Sequence, residues 1–274
     1  MLLKILLVAS LTGFGCAGNS KAGAVDQSGS SKNPEVAFVK AGTFDMGISG
    51  GEFDEGPVHK VSLSDYYIGK FEVTVAQYKR FALETGRPMP KQPDWGGKPD
   101  EPVVNVTWTD ASDFAKWLSE ESGEKYRLPT EAEWYFVATD GGKTITYPWG
   151  EGNPSANIAD ETAAKKWASK YWKGTDDGFA YLAPVGSFDG NSLGVHDMGG
   201  NAAEWVSNFH YEFSAEKQDD PLGPKKGKNK VFKGGSFRTN AWYSRIAQRN
   251  FMPVTFKQDY LGFRIVKQPK TQTD

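Results

Sequence analysis

The stretch Arg127-Leu128-Pro129-Thr130-Glu131-Ala132-Glu133-Trp134 contains a helix start. Thr130 stands three residues before Glu133, so hydroxyl and carboxylate serve each other's backbone N–H groups in a capping box. The helix so opened carries Trp134 and Val137 and stops at Gly141-Gly142. Upstream, Thr74-Val75-Ala76-Gln77 repeats the device, with Val75, Tyr78 and Ala82 on one face and Gly86 as the stop. Between them Ala111, Phe114, Trp117 and Leu118 recur at helical spacing. They predict a helix from about Asp110 to Glu121, ended by Gly123. Short strands are predicted at 36–40, 58–63, 66–70, 230–233 and 262–267. The segment 140–230 reads as turns almost throughout, and such a length needs a binding role or bound ions to order it.

Composition narrows the class. The chain has 31 Gly beside 9 Trp, 11 Tyr and 17 Phe, which predicts a loop-rich globule with a large aromatic core. Its 32 basic and 34 acidic side chains leave a net charge of −2, without the basic excess of a nucleic-acid-binding protein. The start is a secretory leader: Lys4, then the apolar run Ile5 to Leu11, then Thr12-Gly13-Phe14-Gly15. It is too short to span a bilayer. Two cleavages are open: removal of 1–15 with acylation of Cys16, which we favour, or ordinary cleavage after Ala24. The first gives a lipid-anchored envelope protein, and Ala17 after the cysteine favours the outer membrane. The second gives a periplasmic one. Residues 16–34 read as a flexible tether, 35–268 as one domain and 269–274 as a tail.

Several motifs in order resemble one family. They are Phe44-Asp45-Met46-Gly47, Tyr67 to Thr74, Arg127 to Trp134, Tyr147-Pro148-Trp149-Gly150, Asp197 to Trp205, Lys233-Gly234-Gly235-Ser236-Phe237 and Leu261-Gly262-Phe263-Arg264. Together they resemble the formylglycine-generating enzymes, or sulfatase-modifying factors. The resemblance implies a single α+β domain of low regular content, related to C-type lectins. Its members include copper oxidases of sulfatase cysteines, iron sulfoxide synthases, a pyoverdine-maturation protein and envelope lipoproteins. Fold alone therefore does not choose a function.

The same resemblance implies two calcium sites. One would use Asn157, Ile158, Asp177 and Phe179; the other Asp197, Gly200, Ala202 and Glu204, with Asp197 replacing an Asn. Carbonyl and side-chain oxygens suit a hard cation. Against this stands the plain reading that Asp177 and Glu204 pair with arginines or cap turns. In the copper members two thiolates follow the Gly-Gly-Ser motif; here Thr239 takes the first place and, by direct counting, Ser244 the second. The domain has no cysteine, and a hydroxyl does not replace a thiolate for Cu(I). Copper is not expected. Iron is disfavoured, because only His59, His196 and His210 are present. Arg127, Glu131, Glu133 and Arg264 are explained by buried salt bridges and caps. Thr239, Asn240, Trp242, Tyr243, Ser244 and Arg245 are the candidates for the lining of a groove. The leading expectation is an envelope lipoprotein that binds a protein, peptide or glycan there. The alternative is a periplasmic oxidoreductase of the pyoverdine-maturation or non-haem iron type.

Overall fold

A computed structural model describes residues 33–270. Cys16 and most of the tether lie outside the described residues. The chain runs β1 (Val36–Val39), β2 (Gly42–Met46), β3 (His59–Leu63), β4 (Tyr66–Gly69), α1 (Val75–Thr85) and α2 (Trp108–Ser122). It continues through β5 (Tyr126–Arg127), α3 (Glu131–Ala138), α4 (Glu161–Ala164), β6 (Ala203–Phe209) and β7 (Gln218–Asp219). It ends with β8 (Lys230–Lys233), a 3₁₀ turn (Ala241–Ser244), β9 (Asn250–Met252), β10 (Leu261–Phe263) and β11 (Val266–Lys267). Three small sheets result, ordered β1-β4-β11-β5, β10-β6-β8-β9 and β2-β3-β7. The class is α+β with little regular structure.

The caps form as their residues dictate. Thr74 with Gln77 and Thr130 with Glu133 make capping boxes, and Gly86 closes α1 at φ 68°. The second helix starts earlier than its apolar spacing suggests. Thr107 caps it, with Asp110 rather than Glu or Gln returning the bond. Trp117 is only half-buried on its face, under the Arg80 guanidinium at 4.9 Å. The third helix stops at Ala138, before the glycines, because Asp140 turns to φ 51° and Gly141 N closes back on the Phe136 carbonyl at 3.0 Å.

Two differences from the predicted strands position the site. The strand expected over 262–267 is two strands in two sheets. β10 runs parallel to β6, while β11 pairs antiparallel with β4 and β5. Between them Arg264 turns inward and is fully buried. The predicted turn-rich middle also contains β6, seven residues long, whose buried Trp205 and Val206 each pack in a different apolar cluster. Its apolar run is short and preceded by glycines, so periodicity does not mark it.

Candidate functional site

The loop after β8 begins with Gly234 and Gly235, both at positive φ. Glycine is required at the second: a Cβ on Gly235 would lie 2.7 Å from Thr239 Oγ1 and 2.9 Å from Ser244 Oγ. The Thr239 and Ser244 hydroxyls therefore meet under this turn, 3.4 Å apart. Both are internally bonded. Thr239 Oγ1 accepts from Ser236 N at 2.8 Å and donates to Ser236 O at 2.9 Å, while Ser244 Oγ donates to Asn240 O. Asn240 caps the 3₁₀ turn by accepting from Trp242 N at 3.1 Å.

Above the pair opens a cavity of about 490 Å³. Thr239, Asn240 and Tyr243 line it, with Trp167, Lys170, Arg238, Met252 and Tyr260. The other three groove candidates sit apart from it. Ser244 is buried. Arg245 is buried too, bidentate to Glu55 at 2.8 and 2.9 Å. Trp242 is half-exposed but its ring is covered by the Arg245 guanidinium at 3.9 Å. Glu55 gave no sequence signal, because the pair joins residues 190 positions apart.

Asp177 joins two members of the first expected cation set through their amide nitrogens. Its Oδ2 accepts from Ile158 N at 3.0 Å and its Oδ1 from Phe179 N at 2.7 Å. Burial pushes its carboxyl up to about 7 against the backbone donors, with Asp160 and Asp176 adding to the rise. Asn157 donates to Tyr181 O and to Asn201 Oδ1, leaving its own Oδ1 buried without a partner. An orphaned amide oxygen and a carboxylate raised by burial are each donors of the type a hard cation takes. Among the described residues no three His, Cys, Asp or Glu converge as a cage, so an ion here would need carbonyl and amide oxygens.

The second set is built differently. Glu204 spends its carboxylate on Arg264, Oε2 to Nε at 2.7 Å and Oε1 to Nη2 at 2.6 Å, and on Trp134 Nε1 at 2.9 Å. Asp197, at φ 57°, accepts from Gly186 N at 2.7 Å. Gly200 is fixed by contact, since a Cβ there would lie 2.3 Å from Asn157 O; Ala202 N leans toward Glu72 Oε1. Glu72 is the member the sequence did not reveal. It is buried, its Oε1 accepts from Asn201 Nδ2 at 3.0 Å, and its Oε2 has no partner. Burial drives both Glu72 and Asp197 up, each opposed by the Arg264 charge. Three buried carboxylates share one guanidinium, but the Glu204 side chain is committed to it. Of the two expected sets, the first fits calcium better.

Arg127 pairs with Glu133 at 2.6 Å, and Arg249 with Glu131 at 2.7 Å, as structural pairs. The three histidines hold separate partners: His59 the Pro57 carbonyl, His196 the Phe188 carbonyl and His210 Asp54.

The sulfatase-modifying factor enzyme 1-like domain matches residues 21–269. A formylglycine-generating enzyme of Thermomonospora curvata is 28% identical, covering 85% of this chain and 93% of its own. A serine/threonine-protein kinase Pkn1 of Chlamydia trachomatis is 31% identical over 86% of this chain, which spans only 38% of that relative. Among solved structures, PvdO from Pseudomonas aeruginosa superposes with TM-score 0.73 at 27% identity, covering 88% of this chain and 97% of PvdO.

Proposed function

The chain belongs to the sulfatase-modifying factor enzyme 1-like family, and from that membership we propose a calcium-stabilised binding protein of the cell envelope. It is anchored through Cys16 and takes a protein, peptide or glycan partner in the groove above Thr239. The observation that carries this reading is the Thr239–Ser244 pair. Where the copper members resembled by this sequence hold thiolates, two hydroxyls stand 3.4 Å apart and bond to their own loop. Neutral hydroxyls do not hold Cu(I). The groove lining also has no histidine and no carboxylate to serve as a general base. What it offers is aromatic surface with amide and hydroxyl groups, which suits recognition.

Calcium at Asn157, Ile158, Asp177 and Phe179 would take up the orphaned amide oxygen and relieve the Asp177 carboxylate. Its role there is to hold loops that have little regular secondary structure. The likeness to PvdO favours a second reading, a periplasmic oxidoreductase that works without a cysteine pair. Elemental analysis of the purified full chain separates the two. Calcium alone supports the binder, whereas stoichiometric iron or copper overturns it. Cys16→Ala should move the protein from the membrane to the soluble fraction; if it does not, the anchor is wrong.

A further inference from the structure

The groove's charge is one-sided. Its lining holds two cations, Lys170 and Arg238, and not a single Asp or Glu. Lys170 is exposed and has no ion-pair partner among the described residues. Arg238 is bound only at Nη2, which donates to Asp259 Oδ2 at 2.6 Å; its Nε is buried with no partner. The buried Nε is closed to a ligand, so the donor capacity left at the groove is that of Nη1, which makes no hydrogen bond among the described residues.

The Trp167 ring is not a free platform. The Arg238 guanidinium lies 5.4 Å from the Trp167 ring and 5.2 Å from Phe237, and Trp167 packs edge-on against Phe237 at 5.9 Å. That face already carries a cation and its ring a neighbour, which leaves Tyr243, 45% exposed, as the open ring of the lining. The remaining apolar surface comes from Met252, Tyr243, Phe232 and Tyr260, irregular in shape and interspersed with Asn240 and Asn250. Flexible methionine and mixed amide groups suit side chains and a peptide backbone.

We infer that the groove recognises a peptide carboxylate, an acidic side chain or a chain terminus, seated between Lys170 and Arg238 with an apolar neighbour against Met252 and Tyr243. The inference rests on the groove being the binding site. A carboxylate between two cations gains charge-assisted hydrogen bonds, and Asp259 competes with it for Arg238.

Titration calorimetry on the full chain in detergent tests this with three pentapeptides. One is amidated with a central glutamate flanked by phenylalanines; the second carries glutamine instead; the third is the glutamine peptide with a free C-terminal carboxylate. At least one carboxylate peptide should bind tenfold or more tightly than the glutamine amide, and which one does identifies the source of the anion. The preference should shrink with added salt. Lys170→Gln should reduce it severalfold, and Asp259→Asn should increase it by releasing Arg238. A purely structural role for the Arg238–Asp259 pair would not produce that increase. Equal binding of all three peptides overturns the carboxylate inference while sparing the groove. Binding of none of them overturns the groove itself, and with it this inference. Preference for an acidic oligosaccharide over the glutamate peptide overturns the peptide assignment.

Discussion

The loops around Asp197 and the groove above Thr239 carry opposite charge excesses. At the start of β6, Glu72, Asp197 and Glu204 are buried around the single guanidinium of Arg264. In the groove, Lys170 and Arg238 line a cavity that contains no carboxylate. The first is largely buried, with Asp197 at the wall of a cavity, so its excess bears chiefly on folding. The second is open to solvent, so its excess is available to a partner. Exposure decides which of two charge imbalances acts on stability and which on recognition.

The largest test removes the shared cation. Arg264→Met should leave three buried carboxylates without their counter-charge and cost about 3–5 kcal/mol, the range for breaking a buried pair. Urea unfolding measures it; a loss under 1 kcal/mol would mean that the carboxylates are already protonated or ion-bound. Next is calcium. Chelation should lower stability by about 2.7 kcal/mol relative to calcium at a hundredfold excess over its Kd. Asp177→Asn should abolish that difference, and a melting curve unmoved by chelator removes the ion from these loops.

Acid offers a smaller contrast with a balanced buried network. Burial raises the Glu131 carboxyl, but Arg249 and Lys233 outweigh this and hold it below its ordinary 4.5. The unfolded chain therefore takes up the proton first as pH falls. The stabilisation is present above about pH 4.5 and is lost as pH drops through the depressed folded value. Glu131→Gln should remove this pH dependence at some cost in stability at neutral pH; an unchanged acid limb would show that other carboxylates dominate it. The smallest effect is expected in the groove floor. Thr239→Val deletes a hydroxyl serving both the N–H and the carbonyl of Ser236, at about 1 kcal/mol. Partner affinity should then change more through Lys170 than through Thr239.

Much of the frame was legible because its signals are local. The capping boxes at Thr74 and Thr130 need only residues three apart, and both form. The box at Thr107 was missed since Asp110 has a shorter side chain than the usual partner, yet it closes the same bonds. The strand over 230–233 appears as predicted, whereas 262–267 divides between two sheets at Arg264. That division follows from a buried charge and leaves no trace in hydrophobic pattern. Of the groove candidates, Thr239, Asn240 and Tyr243 line the cavity, while Arg245 is drawn away by Glu55.

Helix starts, glycine stops, the family motifs and the lack of any thiol after Cys16 are properties of neighbouring residues or of composition, and the chain alone determines them. Which carboxylate meets which guanidinium is not such a property. Glu72 joins Asn201 across 129 positions, and Glu55 joins Arg245 across 190. These meetings depend on how three small sheets and their loops close on one another. Only the folded chain decides that Arg264 is consumed inside while Arg238 is left with donors to spare.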